Sequence, residues 1–168
     1  MTESSKELSN TAQLDEKWPL SVEVGRIPFI NLALQQNSFP VIREIILTNH
    51  AGHDLEGLEC LFSSSTEFIQ ETIIDVKILK QDEALSIHDI ALEFNYQLLA
   101  NLSDAMKGNI TLDIRQNGQL LYHQDMEVTA FAPDQWLGPD VIPELICAFV
   151  TPNLSVINQL LPIISDEL

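Results

Sequence analysis

The sequence predicts a mainly β protein, an immunoglobulin-like antiparallel β-sandwich with a short crossing helix and a C-terminal helical hairpin. Three observations predict it. Residues Ile110 to Phe131 form two runs of period-2 alternation on either side of Asn117-Gly118, the signature of a β-hairpin. Seven or eight short runs of this kind recur at regular spacing from Leu20 onward, with turn residues between them. After Trp136 the period becomes helical, so strands are followed by helices in a block.

The elements follow in order. Met1 to Lys17 is rich in Ser, Glu, Asn and Thr without periodicity and reads as a disordered tail. From Leu20 to Leu34 the alternation comes in two pieces, Leu20/Val22/Val24 and Ile30/Leu32/Leu34, interrupted by Gly25 and Pro28; a proline cannot donate to a ladder, so this is an edge strand or one that changes sheets. Val41 to Thr48 is β-branched and apolar on both parities at its end, as an inner strand is. After a turn at Asn49 to Leu55, Leu58, Cys60 and Phe62 share one face of a further strand, and Phe68 and Ile69 are expected to cover one end of the core. Ile74/Val76/Ile78 and Ile90/Leu92/Phe94 mark two more strands, over Ile73 to Leu79 and Ser86 to Phe94. Tyr96, Leu99, Leu102 and Met106 then recur at helical spacing up to Gly108, which gives the short crossing helix.

In the hairpin, Ile110, Leu112 and Ile114 share one face and Leu120, Tyr122, Met126 and Val128 share the facing one. A two-residue loop with unbroken pairing would set Asp125 opposite Ile110. The expected solution is a three-residue loop Gln116-Asn117-Gly118 with Gly118 left-handed, Ile114 opposite Leu120 and Leu112 opposite Tyr122. The other face, with Thr111, Asp113, Arg115, His123, Asp125 and Glu127, is expected to be solvated. Beyond Trp136, Ile142, Leu145, Ile146, Phe149 and Val150 form one helical stripe, and Val156, Ile157, Leu160 and Leu161 form a second, after Asn153 as its cap.

A chain of 168 residues fits one domain with appendages and buries roughly 70% of its unfolded surface, enough for a core without staples. Cys60 and Cys147 lie in apolar runs and read as core residues. No apolar signal segment or membrane-length span is present, and a cytoplasmic setting is expected. The 25 acidic and 8 basic side chains give a net charge of -17, which repels a phosphate backbone and argues against direct nucleic-acid binding. An acidic surface of this kind keeps a protein solvated, and it also suits a basic partner.

The chemistry-bearing residues are sparse. His50, His53 and Asp54 lie close in sequence, but a zinc site needs three or four converging ligands, and the pattern reads as a polar hairpin loop. His88 reads as a hydrogen-bonded residue at a strand end, and His123 falls on the solvated hairpin face. Ser63, Ser64 and Ser65 have no nucleophile-elbow context, and Cys60 has no activating neighbour. Neither phosphate-binding glycine pattern occurs. The residues therefore assign no catalytic group, no metal and no cofactor.

Three stretches, PFINLALQQNSFPVIREIILTN (Pro28 to Asn49), EALSIHDIALEFNYQLLANL (Glu83 to Leu102) and DQWLGPDVIPELICAFVTPN (Asp134 to Asn153), carry a resemblance. They resemble the N-terminal region of large bacterial superfamily 1 helicase proteins, in which a β-sandwich module precedes a transglutaminase-like segment, a helicase core and a Vsr-type endonuclease region. That family is associated with defence against phage. The similarity spans Trp18 to Gln159, and Phe149-Val-Thr-Pro-Asn153 is its most specific part. The family's Walker motifs and nuclease carboxylates belong downstream, so no catalytic residue carries over. The chain also departs from the pattern at Pro162, where the family's helix runs on; a truncated gene or a free-standing paralogue would account for this.

The resulting expectation is a tail over 1–17, a sandwich over 18–135 and a helical extension over 136–168. The resemblance implies a non-catalytic interaction module that docks other domains or subunits of a helicase-nuclease assembly, with Val156, Ile157, Leu160 and Leu161 as the candidate docking surface. A free-standing regulatory protein derived from such a gene, and a small enzyme whose site assembles only on folding, are the alternatives.

Overall fold

The computed structural model describes residues 19–135. The tail expected over 1–17, the boundary at Trp18, and the helical extension over 136–168 with its two apolar stripes and Cys147 lie outside the described residues. The described chain runs β1 (Leu20–Arg26), β2 (Phe29–Asn31), α1 (Leu32–Gln36), β3 (Ile42–Asn49), β4 (Leu55–Ser63), β5 (Thr72–Leu79), β6 (Ala84–His88), α2 (Tyr96–Ala100), β7 (Met106–Gln116) and β8 (Gln119–Phe131). These strands form a three-stranded sheet, β1-β3-β6, and a five-stranded sheet, β2-β8-β7-β4-β5. The mainly β class predicted from alternation is the class observed. Among the described residues, no helix is long and apolar enough to cross a membrane.

One buried cluster joins the sheets. Ile42, Ile45 and Leu47 of β3 and Leu58, Cys60 and Phe62 of β4 are fully buried, as are Ile110, Leu112 and Ile114 of β7. Alternation explains this for β4, β7 and the pair Ile45 and Leu47, because successive side chains of a strand point to opposite faces and only one parity meets the core; Ile42, of the other parity, lies where the register with β1 shifts between Gly25 and Arg26. Phe68 and Ile69 are buried at the core's margin, as expected. Gly108 permits close packing there, since a Cβ on it would collide with Thr66 Oγ1 and lie 2.6 Å from a ring carbon of Phe68.

Several expectations require correction. The interrupted strand does change sheets at Ile27-Pro28, but β2 then pairs with β8 in parallel, so the arrangement is not wholly antiparallel. Leu32 and Leu34 belong to α1 instead of a strand: the Asn31 side chain accepts from Ala33 N at 2.8 Å and caps the turn, overriding an alternation only three residues long. The crossing helix stops at Ala100, where the Asn101 amide donates to Gln97 O and Leu98 O, and Met106 opens β7. The strand expected over Ser86 to Phe94 ends at His88, because Asp89 turns the chain with a φ of +54°. On β5, Leu79 is buried and Ile78 is 44% exposed, so the expected face holds for Val76 but not at the strand's end.

The hairpin turn is also tighter than expected. Asn117 (φ +51°) and Gly118 (φ +80°) form a two-residue loop between the paired Gln116 and Gln119, both left-handed as a type I′ turn demands. Gly118 has the predicted positive φ, but Ile114 pairs with Tyr122 and Leu112 with Gln124. The parity conflict that favoured a longer loop is resolved by a bulge instead: Arg115 pairs with Leu120 and Ile114 with Tyr122, leaving Leu121 as the extra residue. Leu121 is buried and Leu120 is 39% exposed, and Asp125 falls opposite Thr111 on the solvated face.

Candidate functional site

The residues singled out from sequence do not converge. His50 Nε2 lies 3.0 Å from Ser21 Oγ, His53 Nδ1 lies 3.0 Å from the Ala51 carbonyl, and Asp54 accepts from the Gln81 amide at 2.8 Å. His53 braces its own loop, whereas His50 and Asp54 tie that loop to β1 and to the β5-β6 turn. No group of three or more His, Cys, Asp or Glu side chains among the described residues is placed to hold a metal. His88 ends β6 beside Ser86, which also hydrogen-bonds Glu44. Cys60 is fully buried, and that burial, reinforced by the charge of Asp75, pushes its thiol up to about 12, the opposite of an activated nucleophile.

The solvated hairpin face holds a connected polar ladder. His123 Nδ1 lies 2.7 Å from Asp113 Oδ1, and its Nε2 lies 3.6 Å from Asp125 Oδ2. Arg115 donates to Asp113 at 2.8 Å, while Thr111 and Asn109 both donate to Asp125. The hydrogen bond that His123 gives to Asp113 raises the His123 pKa, and the one from Thr111 lowers that of Asp125. Both imidazole nitrogens thus face carboxylates. The nearby hydroxyls are engaged elsewhere, with Ser64 donating to the Asn109 carbonyl at 2.7 Å and Ser65 to its side chain at 2.5 Å. An Asp-His pair without a hydroxyl or thiol on the other nitrogen has a base and no nucleophile to activate.

Concavity lies elsewhere, in a cleft of about 310 Å³ where α1 and the loop after it face the segment between β6 and α2. Leu34 anchors α1 in the core, and this fixes its neighbour Gln35 at the cleft. The following turn, closed by Phe39 N donating to Leu34 O at 3.0 Å, presents Phe39 and Pro40 as one wall. The Arg43 guanidinium sits over the Phe39 ring, 5.4 Å from its centre. On the other side, the left-handed turn at Asp89 and the bridge between Phe94 and Ile69 carry Leu92, Phe94 and Tyr96 across. The Tyr96 hydroxyl reaches toward the Gln35 carbonyl at 3.5 Å.

The lining is therefore mostly aromatic and aliphatic, with Ser38, Asp89 and Gln35 as the exceptions. Asp89 is an exposed carboxylate at the rim. Gln35 is 5% exposed, and its Nε2 is the one buried side-chain polar atom among the described residues without a hydrogen-bond partner. Leaving a buried donor unmatched costs roughly 1–3 kcal/mol, so such groups are rare in folded proteins and each calls for a reason. Sequence reading missed Gln35, because a glutamine beside Gln36 and Asn37 looks like part of a polar turn. The docking residues Val156, Ile157, Leu160 and Leu161 lie outside the described residues. No family model matches the chain, and no curated protein does.

Proposed function

We propose that this chain is a non-catalytic interaction module, an immunoglobulin-like sandwich that docks other domains or subunits of a cytoplasmic helicase-nuclease assembly. One observation carries the reading: the cleft at α1 pairs apolar walls with a single unmatched donor, Gln35 Nε2, and a single rim carboxylate, Asp89. Acid-base chemistry needs at least two convergent groups held at different proton affinities, whereas a binding site needs shape, apolar area and a few orienting polar atoms. The immunoglobulin-like description draws support from a three-stranded and a five-stranded sheet sharing one core, with the chain crossing between them from β1 to β2. The helicase context rests on the resemblance of Pro28 to Asn49, Glu83 to Leu102 and Asp134 to Asn153.

The test is association in trans. The full chain is mixed with a superfamily 1 helicase region of the kind the resemblance implies, and sedimentation is followed at micromolar concentration. A 1:1 complex is the expected result; two independently sedimenting species would defeat the assembly reading. The isolated chain is expected neither to hydrolyse ATP nor to bind DNA at physiological salt, given its charge of -17 and its lack of a phosphate loop.

A further inference from the structure

We infer that the cleft at α1 is a peptide-binding site, taking an extended segment that seats an apolar side chain between Phe39 and Tyr96 and follows it with a basic residue directed at Asp89. The inference rests on the interaction-module reading and specifies the chemistry of the partner.

Four features define the ligand. A volume of about 310 Å³ lies at the lower end of the range that ligand clefts occupy, about 300–1,000 Å³, and suits a side chain or two better than a dinucleotide. The unmatched atom is a donor on a neutral amide, and an amide N–H is matched by a neutral carbonyl such as the one each peptide unit carries. Ala91 and Leu92 lie between β6 and α2, outside both sheets, and their backbone N–H and C=O groups bond to no described residue. Main chain at the cleft that is unpaired among the described residues is what an extended peptide pairs with when it adds to a protein surface. The last feature is charge: Asp89 at the rim and a chain charge of -17 favour a cationic partner.

The cleft is pre-formed in a way that favours binding. Arg43 stacks on Phe39 and stiffens that wall, and Ser38 and Asp89 hold the flanking turns in left-handed backbone with φ of +55° and +54°. Gln35 Nε2 is shielded from solvent, so a peptide carbonyl would reach it through a turn of the Gln35 side chain toward the cleft, a rotamer change that leaves α1 in place.

The experiment uses the full chain, labelled with ¹⁵N, and two probes: acetyl-Ala-Leu-Arg-Ala-amide and the same peptide with Glu in place of Arg. Spectra follow the Gln35 side-chain NH2 and the backbone amides of Ala91 and Leu92. Saturable shifts at all three positions are expected with the Arg peptide, with binding weakened several-fold for the Glu peptide. Gln35→Leu, which keeps the cleft apolar, should weaken the Arg peptide by up to roughly tenfold. Tyr96→Ala, at a half-exposed position, provides a second variant with the same expected loss, its fold checked by the amide spectrum away from the cleft. The proposal is overturned if neither peptide shifts Gln35 at up to about 10 mM, or if the two bind equally. It is also overturned if the free protein shows magnetisation transfer from the Gln35 amide to a residue beyond Gln135, because the chain then fills its own cleft. If the helicase region binds Gln35→Leu as tightly as wild type, this inference fails and the assembly reading survives. Peptide binding without helicase binding supports the cleft and sinks the assembly.

Discussion

Strand β3 runs between two buried amides that have been treated in opposite ways. At its C-terminal end Asn49, fully buried, donates to the His53 carbonyl at 2.8 Å and the Leu79 carbonyl at 3.0 Å and accepts from the Ala51 amide at 2.8 Å. Its backbone adds bonds to Glu83 O and from Asp82 N, so one residue ties the β3-β4 and β5-β6 turns together. Ahead of the other end, on α1, Gln35 is nearly as buried, yet its amide nitrogen has no partner. The difference teaches what each end is for. A saturated buried amide specifies a fold, whereas an unsaturated one lowers stability and is accounted for when something outside the described residues completes it.

The largest expected effect tests the saturated end. Asn49→Leu fills a similar volume but takes the side-chain partner from the buried Leu79 carbonyl and from the part-buried His53 carbonyl and Ala51 amide, and should cost about 3–5 kcal/mol, with a proportionate fall in the denaturation midpoint at unchanged slope. A loss below about 1 kcal/mol would mean that water replaces the side chain and that the contrast between the two ends is not real.

At the other end the sign reverses. Gln35→Leu removes an unmatched donor and should raise stability by about 1–3 kcal/mol in the same assay. A destabilised variant would show that the amide is satisfied in solution, and the cleft would lose its mark as a site. Ser38→Gly sharpens the point at smaller scale. Serine at a φ of +55° carries left-handed strain that glycine does not, and relief offset by glycine's greater unfolded-state freedom should leave a gain of less than about 1 kcal/mol.

Legibility in the sequence divided along a physical line. Long alternations such as Leu58/Cys60/Phe62 and Ile110/Leu112/Ile114 were readable, because five or more residues of one period outweigh local competition, and both sets are buried as expected. The hairpin's existence and the left-handed Gly118 were readable for the same reason. Where one hydrogen bond or one inserted residue decided the outcome, periodicity misled: the Asn31 cap turned Leu32 and Leu34 into a helix, and the Leu121 bulge moved a parity correction from the loop into the strand. Gln35 was invisible for a third reason. Its burial follows from the packing of Leu34 and of a distant segment, Asp89 to Tyr96, more than fifty residues away, and nothing local encodes that.

The smallest effect serves as a control on the whole comparison. Neither Gln35 nor Asn49 titrates, so the stability differences of their variants should not change with pH, and any response near neutrality must come from elsewhere. The hairpin face supplies one in His123, whose pKa is raised above 6.5 first by its hydrogen bond to Asp113. The folded chain then holds that proton more tightly than the unfolded chain does. Its contribution is fully present below about 6.5 and is lost as the pH rises through the higher folded value. The imidazole is 45% exposed, which confines the effect to the range of an exposed ion pair, about 0.2–1 kcal/mol, and makes it salt-sensitive. Stability measured from pH 5.5 to 8.5 should therefore fall slightly in the wild type, in Gln35→Leu and in Asn49→Leu alike, while Asp113→Asn flattens the curve. If instead the Gln35→Leu difference itself varied with pH, a titrating group would have to lie against that amide, and the cleft would have to be redrawn around it.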